Sequence, residues 1–415
     1  MKDYVIAIDV GSGFVKAAIG KRGLHNVELM SVVEEKAHGI ERGLITDGPQ
    51  ATATIRRVID KLYETSTLAE KFEYLTVIAG ISGRSIFSSS NVEGMISLRD
   101  NKPIDEKDVQ KVIEQAKAMA NIPNDHEIVY VHPHVFIVDK PETGTVRNPI
   151  GMYGKSLKVR AYIISVDAGV LRNFRSVFNS ADINDVSFYF NPIVESYGVL
   201  DEEDRSEGAI LLNIGRDLSY MTIWNEGSIF YTIVQEEGLS RILLRDLMNK
   251  FNLTRELAED LLMKVKILTE DEAYYHMDET IRIYDRRRKY EQSISLKSVS
   301  AVVSANMERY FTSVKAQLEH MDVYNKLSRP QIYLTGGGAL IKNVDLIAEN
   351  VFQMGVTIGI PNVEVLDESY RNPRYGVLAG LVRYYFESPN TASFGVRKSK
   401  PNILQTWWNK IKEIF

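Results

Sequence analysis

The hydrophobic pattern at the start of the chain is that of a short β-hairpin. Tyr4–Val10 is rich in β-branched residues and leads into Gly11, Ser12 and Gly13, after which residues 14–19 resume an apolar strand pattern. Glycine and serine between two such runs favour a tight turn. The sequence therefore predicts two antiparallel strands joined by a glycine-bearing turn.

The same pattern recurs near the middle of the chain. Ala209–Ile214 forms a second apolar run that ends at Gly215, and residues 218–224 follow as its return strand. When residues 7–11 are laid over residues 211–215, the positions match in type: apolar, apolar, Asp or Asn, β-branched and glycine. A repeated opening of this kind predicts two halves related by duplication.

Strand patterns alternate with amphipathic helical patterns along the rest of the chain. Residues 105–119 have apolar side chains at helical spacing, and strand patterns follow at 127–138 and 157–164, so residues 85–164 predict a small α+β insert. The other predicted elements are helices at 168–180, 240–251, 255–268, 296–320 and 374–386, and a strand at 331–335 that leads through Gly336, Gly337 and Gly338 into a helix from residue 339. This alternation places the fold in the α/β class.

Length and composition narrow the functions that need to be considered. A chain of 415 residues is too long for one hydrophobic core and predicts two or more domains. The net charge of −5 argues against nucleic acid as the main partner, and the absence of cysteine excludes disulfides, thiolate catalysis and cysteine-ligated zinc. The first residues lack the apolar stretch of a secretion signal, and no window reaches the roughly 20 apolar residues of a spanning helix, so we expect a cytoplasmic protein.

The glycine turns are candidates for phosphate binding, because glycine lets backbone N–H groups approach a polyphosphate closely. The turns at 11–13 and 215–217 would face each other from the two halves, and residues 336–338, at a strand-to-helix turn, would lie beside the adenosine or the inner phosphates. Asp9 is placed to hold Mg²⁺ through water, and Lys16 to reach a terminal phosphate. A lone glycine turn is usually structural, but three of them, two on duplicated hairpins, predict a nucleotide site.

The last thirteen residues have an apolar face and a polar face at helical spacing. The apolar face consists of Ile403, Leu404, Trp407, Trp408, Ile411, Ile414 and Phe415. A helix of this length spans roughly 20 Å, too short for a hydrocarbon core of roughly 30 Å, and Lys410 and Lys412 can meet anionic headgroups. The pattern predicts a helix lying in the membrane surface. The alternative is a helix docked on its own domain, but the polar residues 388–402 predict a flexible linker that favours the membrane.

Several of these segments resemble actin and its relatives. Residues 9–16 (DVGSGFVK) resemble the first phosphate motif of actin, and residues 333–340 (YLTGGGAL) resemble the adenosine motif of the actin/Hsp70 superfamily. Within that superfamily, the whole chain resembles the FtsA family of bacterial cell-division proteins. Residues 102–113 (KPIDEKDVQKVI) and 148–154 (NPIGMYG) are similar to the FtsA insert, residues 191–196 (NPIVES) to the interdomain connection, and the tail to the FtsA membrane-targeting helix.

The resemblance implies an actin-like ATPase fold, in which two duplicated RNase H-like domains enclose a nucleotide cleft and carry an FtsA-type insert, subdomain 1C. The implied division is 1–84 and 166–198 (subdomain 1A, with the interdomain connection), 85–165 (insert 1C), 199–238 and 311–360 (2A), 239–310 (2B), 361–387 (return to 1A), 388–402 (linker) and 403–415 (membrane-targeting helix). The implied function is a protein that binds ATP and Mg²⁺, forms filaments, contacts other division proteins, and tethers the C-terminal tail of FtsZ to the inner face of the cytoplasmic membrane at the division site.

The sequence departs from the family in its second phosphate motif. Residues 213–219 read NIGRDLS, where FtsA normally has Asp and more glycine. Asn213 thus lacks a carboxylate that would help to hold Mg²⁺ and order the attacking water, so we expect weak or absent hydrolysis. Residues 235–238 (QEEG) replace a glycine-rich turn, and their acidic side chains would repel polyphosphate. Glu259 matches the glutamate of the helix that contacts the ribose, whereas Leu262 replaces its lysine.

The second half also contains candidate residues for a protein partner. Arg286, Arg287 and Arg288 form a basic run, typical of a solvated loop or hairpin tip and less often of a site for an acidic partner. The resemblance places this run in subdomain 2B, which receives the FtsZ tail in FtsA. Asn306 stands where an arginine often pairs with that tail, and Arg309 or the basic run would substitute for it.

Two other functions are compatible with parts of the sequence. The altered second phosphate turn favours a non-hydrolysing actin-like membrane scaffold, similar to PilM, with a role in pilus or secretion assembly. A sugar or small-molecule kinase of the same superfamily would need a catalytic Asp beside a substrate cleft, and the sequence contains no motif for one.

Overall fold

The computed structural model describes residues 3–387, except 25, 67–74, 84, 100–101, 140–143, 236, 270–271, 273–274, 277 and 286–288. The predicted linker at 388–402, the amphipathic tail at 403–415 and the basic run at 286–288 lie outside the described residues. Within the described part of the chain, every helix is too short or too polar to cross a bilayer.

The described elements alternate between strands and helices, as the pattern predicts. The strands are β1 (Tyr4–Val10), β2 (Phe14–Arg22), β3 (Val27–Lys36), β4 (Ile40–Glu41), β5 (Leu44–Ile45), β6 (Thr76–Ile81), β7 (Ile86–Ser97), β8 (His126–Val138), β9 (Thr145–Val146), β10 (Ser156–Asp167), β11 (Val186–Phe190), β12 (Ala209–Ile214), β13 (Ser219–Asn225), β14 (Ser228–Val234), β15 (Thr280–Asp285), β16 (Tyr290–Ser295), β17 (Gln331–Thr335), β18 (Val356–Ile358) and β19 (Glu364–Val365). The α-helices are α1 (Gly48–Thr65), α2 (Glu106–Met119), α3 (Ala168–Ser180), α4 (Asn191–Val199), α5 (Glu202–Glu207), α6 (Leu239–Phe251), α7 (Arg255–Lys264), α8 (Leu296–His320), α9 (Val344–Phe352) and α10 (Gly376–Glu387).

The two halves of the chain contain the same central sheet. In the first half the order is β3-β2-β1-β6-β11, with β1, β2 and β3 antiparallel and β6 and β11 parallel to β1. In the second half the order is β14-β13-β12-β17-β18, with the same strand directions. The short strand β19 extends the first sheet beyond β3. The shared order confirms the duplication that the two hairpin sequences predict.

The insert between β6 and α3 forms its own layer. Strands β7, β10, β8 and β9 make an antiparallel sheet, and α2 packs on it. Helix α2 begins where the carboxylate of Asp105 accepts a hydrogen bond from the backbone N–H of Asp108, which satisfies a free donor of the first turn. Gly94 on β7 lets the helix approach, because a Cβ atom there would lie 2.4 Å from the carbonyl oxygen of Val112.

The two halves are joined through a close crossing of α4 and α10. Both helices contribute to one buried cluster that also contains side chains of β1 and β12. The crossing has no room for side chains: a Cβ atom at Gly380 would lie 1.7 Å from the carbonyl oxygen of Val194, and one at Gly198 would lie 2.3 Å from the backbone nitrogen of Gly380. The backbones of the two helices therefore touch where the halves meet.

Periodicity predicted the ends of several elements correctly and of others wrongly. The helices Ala168–Ser180 and Leu296–His320 and the strand Gln331–Thr335 have the predicted bounds. The helix predicted at 255–268 is shorter, because the backbone becomes extended at Val265.

The helices after the triple glycine begin later than the apolar pattern suggests. Gly337–Leu340 is a 3₁₀ turn, and α9 begins only after Asn343, whose φ of 67° interrupts the helical path. The helix predicted from residue 374 begins at Gly376, because Pro373–Tyr375 forms a separate 3₁₀ turn.

Candidate functional site

The three glycine-bearing turns lie next to one another. Gly13 of the first half faces Arg216 of the second, since a Cβ atom at Gly13 would lie 3.1 Å from Cδ of Arg216. Gly336 lies at the β12 end of the same second turn, because a Cβ atom there would lie 2.8 Å from Oδ1 of Asn213. Gly336 has a φ of 79°, which favours glycine. The fold thus brings together turns that are far apart in the sequence.

The two hairpin turns are built alike. A Cβ atom at Gly11 would lie 2.7 Å from the carbonyl oxygen of Phe14, and one at Gly215 would lie 2.2 Å from the carbonyl oxygen of Leu218. In each turn the contact is with the residue three positions later. A side chain would force the turn open, which explains why glycine stands at the same point of both hairpins.

The remaining turn residues differ in what surrounds them. The hydroxyl of Ser12 accepts a hydrogen bond from the backbone N–H of Gly43 at 3.3 Å. Gly338 packs on the side chain of Ile214, where a Cβ atom would come within 2.2 Å of Cγ2. At Gly337, by contrast, a Cβ atom would have no neighbour within 4 Å, so this position faces open space.

Asp9 and Lys16 form an ion pair at the first turn. They face each other across β1 and β2, and the Lys16 ammonium lies 2.6 Å from Oδ2 of Asp9. The other carboxylate oxygen, Oδ1, accepts a hydrogen bond from Nδ2 of Asn191 at 3.0 Å. Asp9 is buried. The residues that the sequence assigns separately to Mg²⁺ and to a terminal phosphate are therefore paired with each other.

A buried carboxylate that sequence reasoning missed lies beside the second turn. Nδ2 of Asn213 donates to both carboxylate oxygens of Glu195, each at 2.9 Å, and the hydroxyl of Tyr220 donates to Oε2 at 2.5 Å. Glu195 is fully buried on α4. Burial raises the pKa of Glu195 to about 7, although the hydrogen bonds from Tyr220 and Asn213 oppose the shift. The carboxylate missing from position 213 is thus present beside it on another element.

Helix α4 contacts both halves through one amide–carboxylate pair each. Asn191 donates its amide to the carboxylate of Asp9, and Glu195, one helical turn later, accepts from the amide of Asn213. In the first pair the carboxylate is on the strand and the amide is on the helix, and in the second pair these positions are reversed. Each pair therefore contains one carboxylate. The only sequence signal for this arrangement is the spacing of four between Asn191 and Glu195, which places both side chains on one face of a helix.

Replacing Glu195 with glutamine should remove a pH dependence of stability. Because the pKa of folded Glu195 is about 7, above its ordinary value of 4.5, the folded state retains the proton longer than the unfolded state does. The wild-type protein should therefore lose stability relative to Glu195→Gln as the pH rises from 5 to 7, by about 2 kcal/mol. Urea unfolding of both proteins between pH 5 and pH 8 measures the difference, and parallel stability curves would contradict it.

Glu259 lies in a cluster of cations. Its carboxylate is 2.7 Å from Arg216, 3.1 Å from Lys36 and 3.3 Å from Arg255. Lys36 ends β3 in the first half, whereas the other three residues belong to the second, so this cluster bridges the two halves. Glu259, which the resemblance assigns to the ribose, is therefore ion-paired with three cationic side chains in this structure.

The turn that follows β12 is supported from behind by the start of α6. A Cβ atom at Gly238 would lie 2.8 Å from the carbonyl oxygen of Arg216, so glycine is required for this approach. Asp217 points inward and is buried, with Oδ2 accepting from the backbone N–H of Arg42 at 3.4 Å. Glu237, one of the acidic residues expected to repel phosphate, lies 3.1 Å from Arg245, which offsets its charge.

The candidate partner residues on α8 differ in exposure. Asn306 is buried, and its amide donates to the carbonyl oxygen of Val302 at 3.0 Å. Arg309 is largely exposed, with its guanidinium donating to Oδ1 of Asn306 at 3.0 Å. Only Arg309 of this pair is accessible to an acidic peptide.

Several buried polar atoms beside the turns are unsatisfied. Oδ1 of Asn191, Nε of Arg216 and Oδ1 of Asp217 have no hydrogen-bond partner among the described residues. Because buried polar groups are nearly always satisfied, these atoms provide two acceptors and a donor for a polar ligand. The oxygen atoms of Asp9, Asn191 and Asp217 are of the type that suits Mg²⁺.

Comparisons with known proteins agree with this architecture. The family model of the SHS2 domain inserted in FTSA matches residues 85–165. Cell division protein FtsA of Borreliella burgdorferi is 26% identical over 389 residues, covering 93% of this chain and 92% of that protein. Cell division protein FtsA of Escherichia coli is 22% identical over 423 residues, covering 99% and 97%.

Solved structures share the fold at low sequence identity. The PilM–PilN type IV pilus biogenesis complex matches with a TM-score of 0.63 and 12% identity, covering 92% of this chain and 98% of that chain. MreB 5 of Spiroplasma citri bound to AMPPNP matches with a TM-score of 0.51 and 13% identity over the whole of both chains. At this identity the likeness shows the fold alone. The resemblance drawn from the motifs is confirmed: the chain is similar to FtsA cell division proteins along more than nine-tenths of its length, has the actin-like fold, and contains a domain that matches the one inserted in FtsA.

Proposed function

We propose that this protein binds ATP and Mg²⁺ between its two halves, forms filaments, and tethers the C-terminal tail of FtsZ to the inner face of the cytoplasmic membrane. Its similarity to cell division proteins along more than nine-tenths of the chain supports a role in division. The observation that carries the nucleotide proposal is the convergence of three glycine-bearing turns around unsatisfied buried polar atoms.

In this proposal the hairpin turns hold the outer phosphates. Backbone N–H groups at Gly11–Gly13 and at Gly215 would donate to phosphate oxygens, and residues 336–338 would border the nucleoside. Mg²⁺, when bound, neutralises phosphate charge. Asp9 would hold it through water, and the free oxygens of Asn191 and Asp217 would order that water. Glu259 would contact the ribose after its carboxylate releases one of the three cationic side chains that it pairs with here.

Hydrolysis is proposed to be slow. Asn213 is neutral, and the nearby Glu195 is held by Asn213 and Tyr220, so its oxygens already have donors. The carboxylate of Glu195 is therefore not available to orient the attacking water. The protein is proposed to act as a nucleotide-dependent assembly component rather than as an enzyme with rapid turnover.

The partner and membrane contacts are assigned to different segments of the second half of the chain. Arg309 is exposed on α8, and the basic run at 286–288 belongs to the same proposed subdomain, so both suit an acidic FtsZ tail. The tail at 403–415 would bind lipid, with filament formation bringing many tails to one surface. Other division proteins are further proposed partners.

Co-sedimentation on anionic liposomes with fluorescent ATP and the FtsZ tail peptide tests the nucleotide, membrane and FtsZ parts of the proposal together. Wild-type protein should bring both nucleotide and peptide down with the lipid. Arg309→Glu should lower peptide recovery several-fold and leave nucleotide and lipid binding unchanged, because it reverses one exposed charge. Arg329→Glu, on another exposed arginine, is the matched control.

The same measurement separates the proposal from the scaffold alternative. Recovery of nucleotide and lipid without the FtsZ peptide would favour an actin-like membrane scaffold of the PilM type. Absence of nucleotide from every pellet, with protein present, would contradict the nucleotide site itself.

A further inference from the structure

We propose that Arg216 binds the terminal phosphate of a nucleoside triphosphate and so makes the protein prefer triphosphate over diphosphate. This inference rests on the proposed nucleotide binding and assigns a specificity-determining side chain within it. Most of the turn provides only backbone N–H groups, whereas Arg216 brings a fixed positive charge to the outer end of the cleft.

The backbone fixes where the side chain of Arg216 goes. Gly238 supports the turn from behind, and on the opposite side the stem of Arg216 lies against Gly13, with Cδ 3.1 Å and Cβ 3.4 Å from where a Cβ atom of Gly13 would be. The arginine therefore lies between the two hairpin turns. In the proposed site residues 336–338 border the nucleoside and the two hairpin turns hold the outer phosphates, so a side chain between those turns lies where the terminal phosphate would end.

The guanidinium of Arg216 has an N–H donor that lacks an acceptor among the described residues. One terminal nitrogen donates to Oε1 of Glu259 at 2.7 Å, while Nε is buried and lacks a partner among the described residues. An unsatisfied buried N–H is costly unless a ligand or water accepts from it. The planar guanidinium fork matches two phosphate oxygens, so Nε and a neighbouring N–H can bind phosphate in a bidentate way.

The surrounding charges favour an anion at this point. Arg216, Lys36 and Arg255 all contact the single carboxylate of Glu259, so positive charge is in excess within this cluster, whereas the neighbouring carboxylate of Asp217 accepts from the backbone N–H of Arg42. If the guanidinium of Arg216 turned from Glu259 to a phosphate, Glu259 would still be paired with Lys36 and Arg255. The exchange would not leave a buried charge unpaired, so its cost is small compared with a new charge-assisted hydrogen bond.

Affinity measurements for ATP and ADP with Arg216→Ala and Arg216→Lys test the inference. Arg216→Ala should weaken ATP binding about tenfold or more and ADP binding about twofold or less, because only ATP places a phosphate at the apex. Arg216→Lys should recover part of the ATP affinity, since lysine restores the charge but not the fork. The matched control is Arg329→Ala, which removes an exposed arginine that is paired with Glu207 and is not part of the Glu259 cluster, and it should leave the ATP:ADP ratio unchanged.

The outcomes distinguish this inference from the proposed function. Wild-type protein that binds neither nucleotide would refute the nucleotide site, and the inference would fall with it. Wild-type binding with an unchanged ATP:ADP ratio in Arg216→Ala would overturn only the role of Arg216. Tighter ATP binding by Arg216→Ala would also overturn it, since the side chain would then be blocking the cleft. Thermal melts of each variant show whether a changed ratio comes from the folded protein.

Discussion

Gly380→Ala is expected to destabilise the folded protein by more than about 3 kcal/mol. In an ordinary helix this change would stabilise by about 0.5–1 kcal/mol, because alanine has the higher helix propensity. Here the added Cβ atom would lie 1.7 Å from the carbonyl oxygen of Val194 and 2.4 Å from its carbonyl carbon. Backbone atoms cannot rotate away as a side chain can, so α4 and α10 must separate. Overpacking of this kind outweighs the gain in propensity. Urea unfolding monitored by circular dichroism gives the change in unfolding free energy.

Gly355→Ala is the control for this prediction. A Cβ atom at Gly355 would meet nothing within 4 Å, so the same chemical change should alter stability by less than about 1 kcal/mol. A Gly380→Ala protein as stable as the wild type would show that the helix crossing can relax. Because this crossing joins the halves, its loss should also weaken nucleotide binding at the cleft.

Trp407→Glu combined with Trp408→Glu is expected to release the protein from anionic liposomes almost completely. Each buried tryptophan contributes about 1.5–3 kcal/mol to membrane binding, and two new carboxylates would be repelled by anionic headgroups. We expect the bound fraction in co-sedimentation to fall more than tenfold at the same lipid concentration. Unchanged co-sedimentation would refute the proposed membrane helix.

The polar face of the same segment provides a matched control. Gln405→Glu with Asn409→Glu adds the same charge but keeps every apolar residue of the predicted helix. This variant should retain most of its lipid binding at moderate salt, because the apolar face supplies most of the affinity. Equal loss in both variants would indicate that charge alone, and not burial of tryptophan, decides binding.

Avidity connects this tail with filament formation. One copy of the predicted thirteen-residue helix would bind lipid reversibly, whereas the proposed filament would present many copies at high effective concentration. Membrane residence is therefore proposed to depend on assembly. The proposed site would make assembly depend in turn on which nucleotide occupies the cleft.

Local sequence determined the strands, the glycine turns and most of the helices. Strands rich in β-branched residues and a glycine at the first position of each turn are short-range signals, so the two hairpins and their duplication could be predicted without any contact between them. The helix Ala168–Ser180 is equally local, with Asp167 capping its first turn. Predictions failed where a backbone angle rather than periodicity set the end or the start of a helix, as at Val265 and Asn343.

Only the tertiary structure decided which side chains meet in the cleft. Glu195 stands beside Asn213 because α4 crosses between the halves, and Glu259 meets Lys36 across a separation of 223 residues. Arg216 stands in a turn where the resemblance predicts more glycine, and only the fold places its stem against Gly13 of the other half. Contacts between distant segments depend on how the two sheets pack through α4 and α10, and no pattern within a short window encodes that packing. The sequence therefore determined the parts of the site, whereas its charges and their partners were decided by the fold.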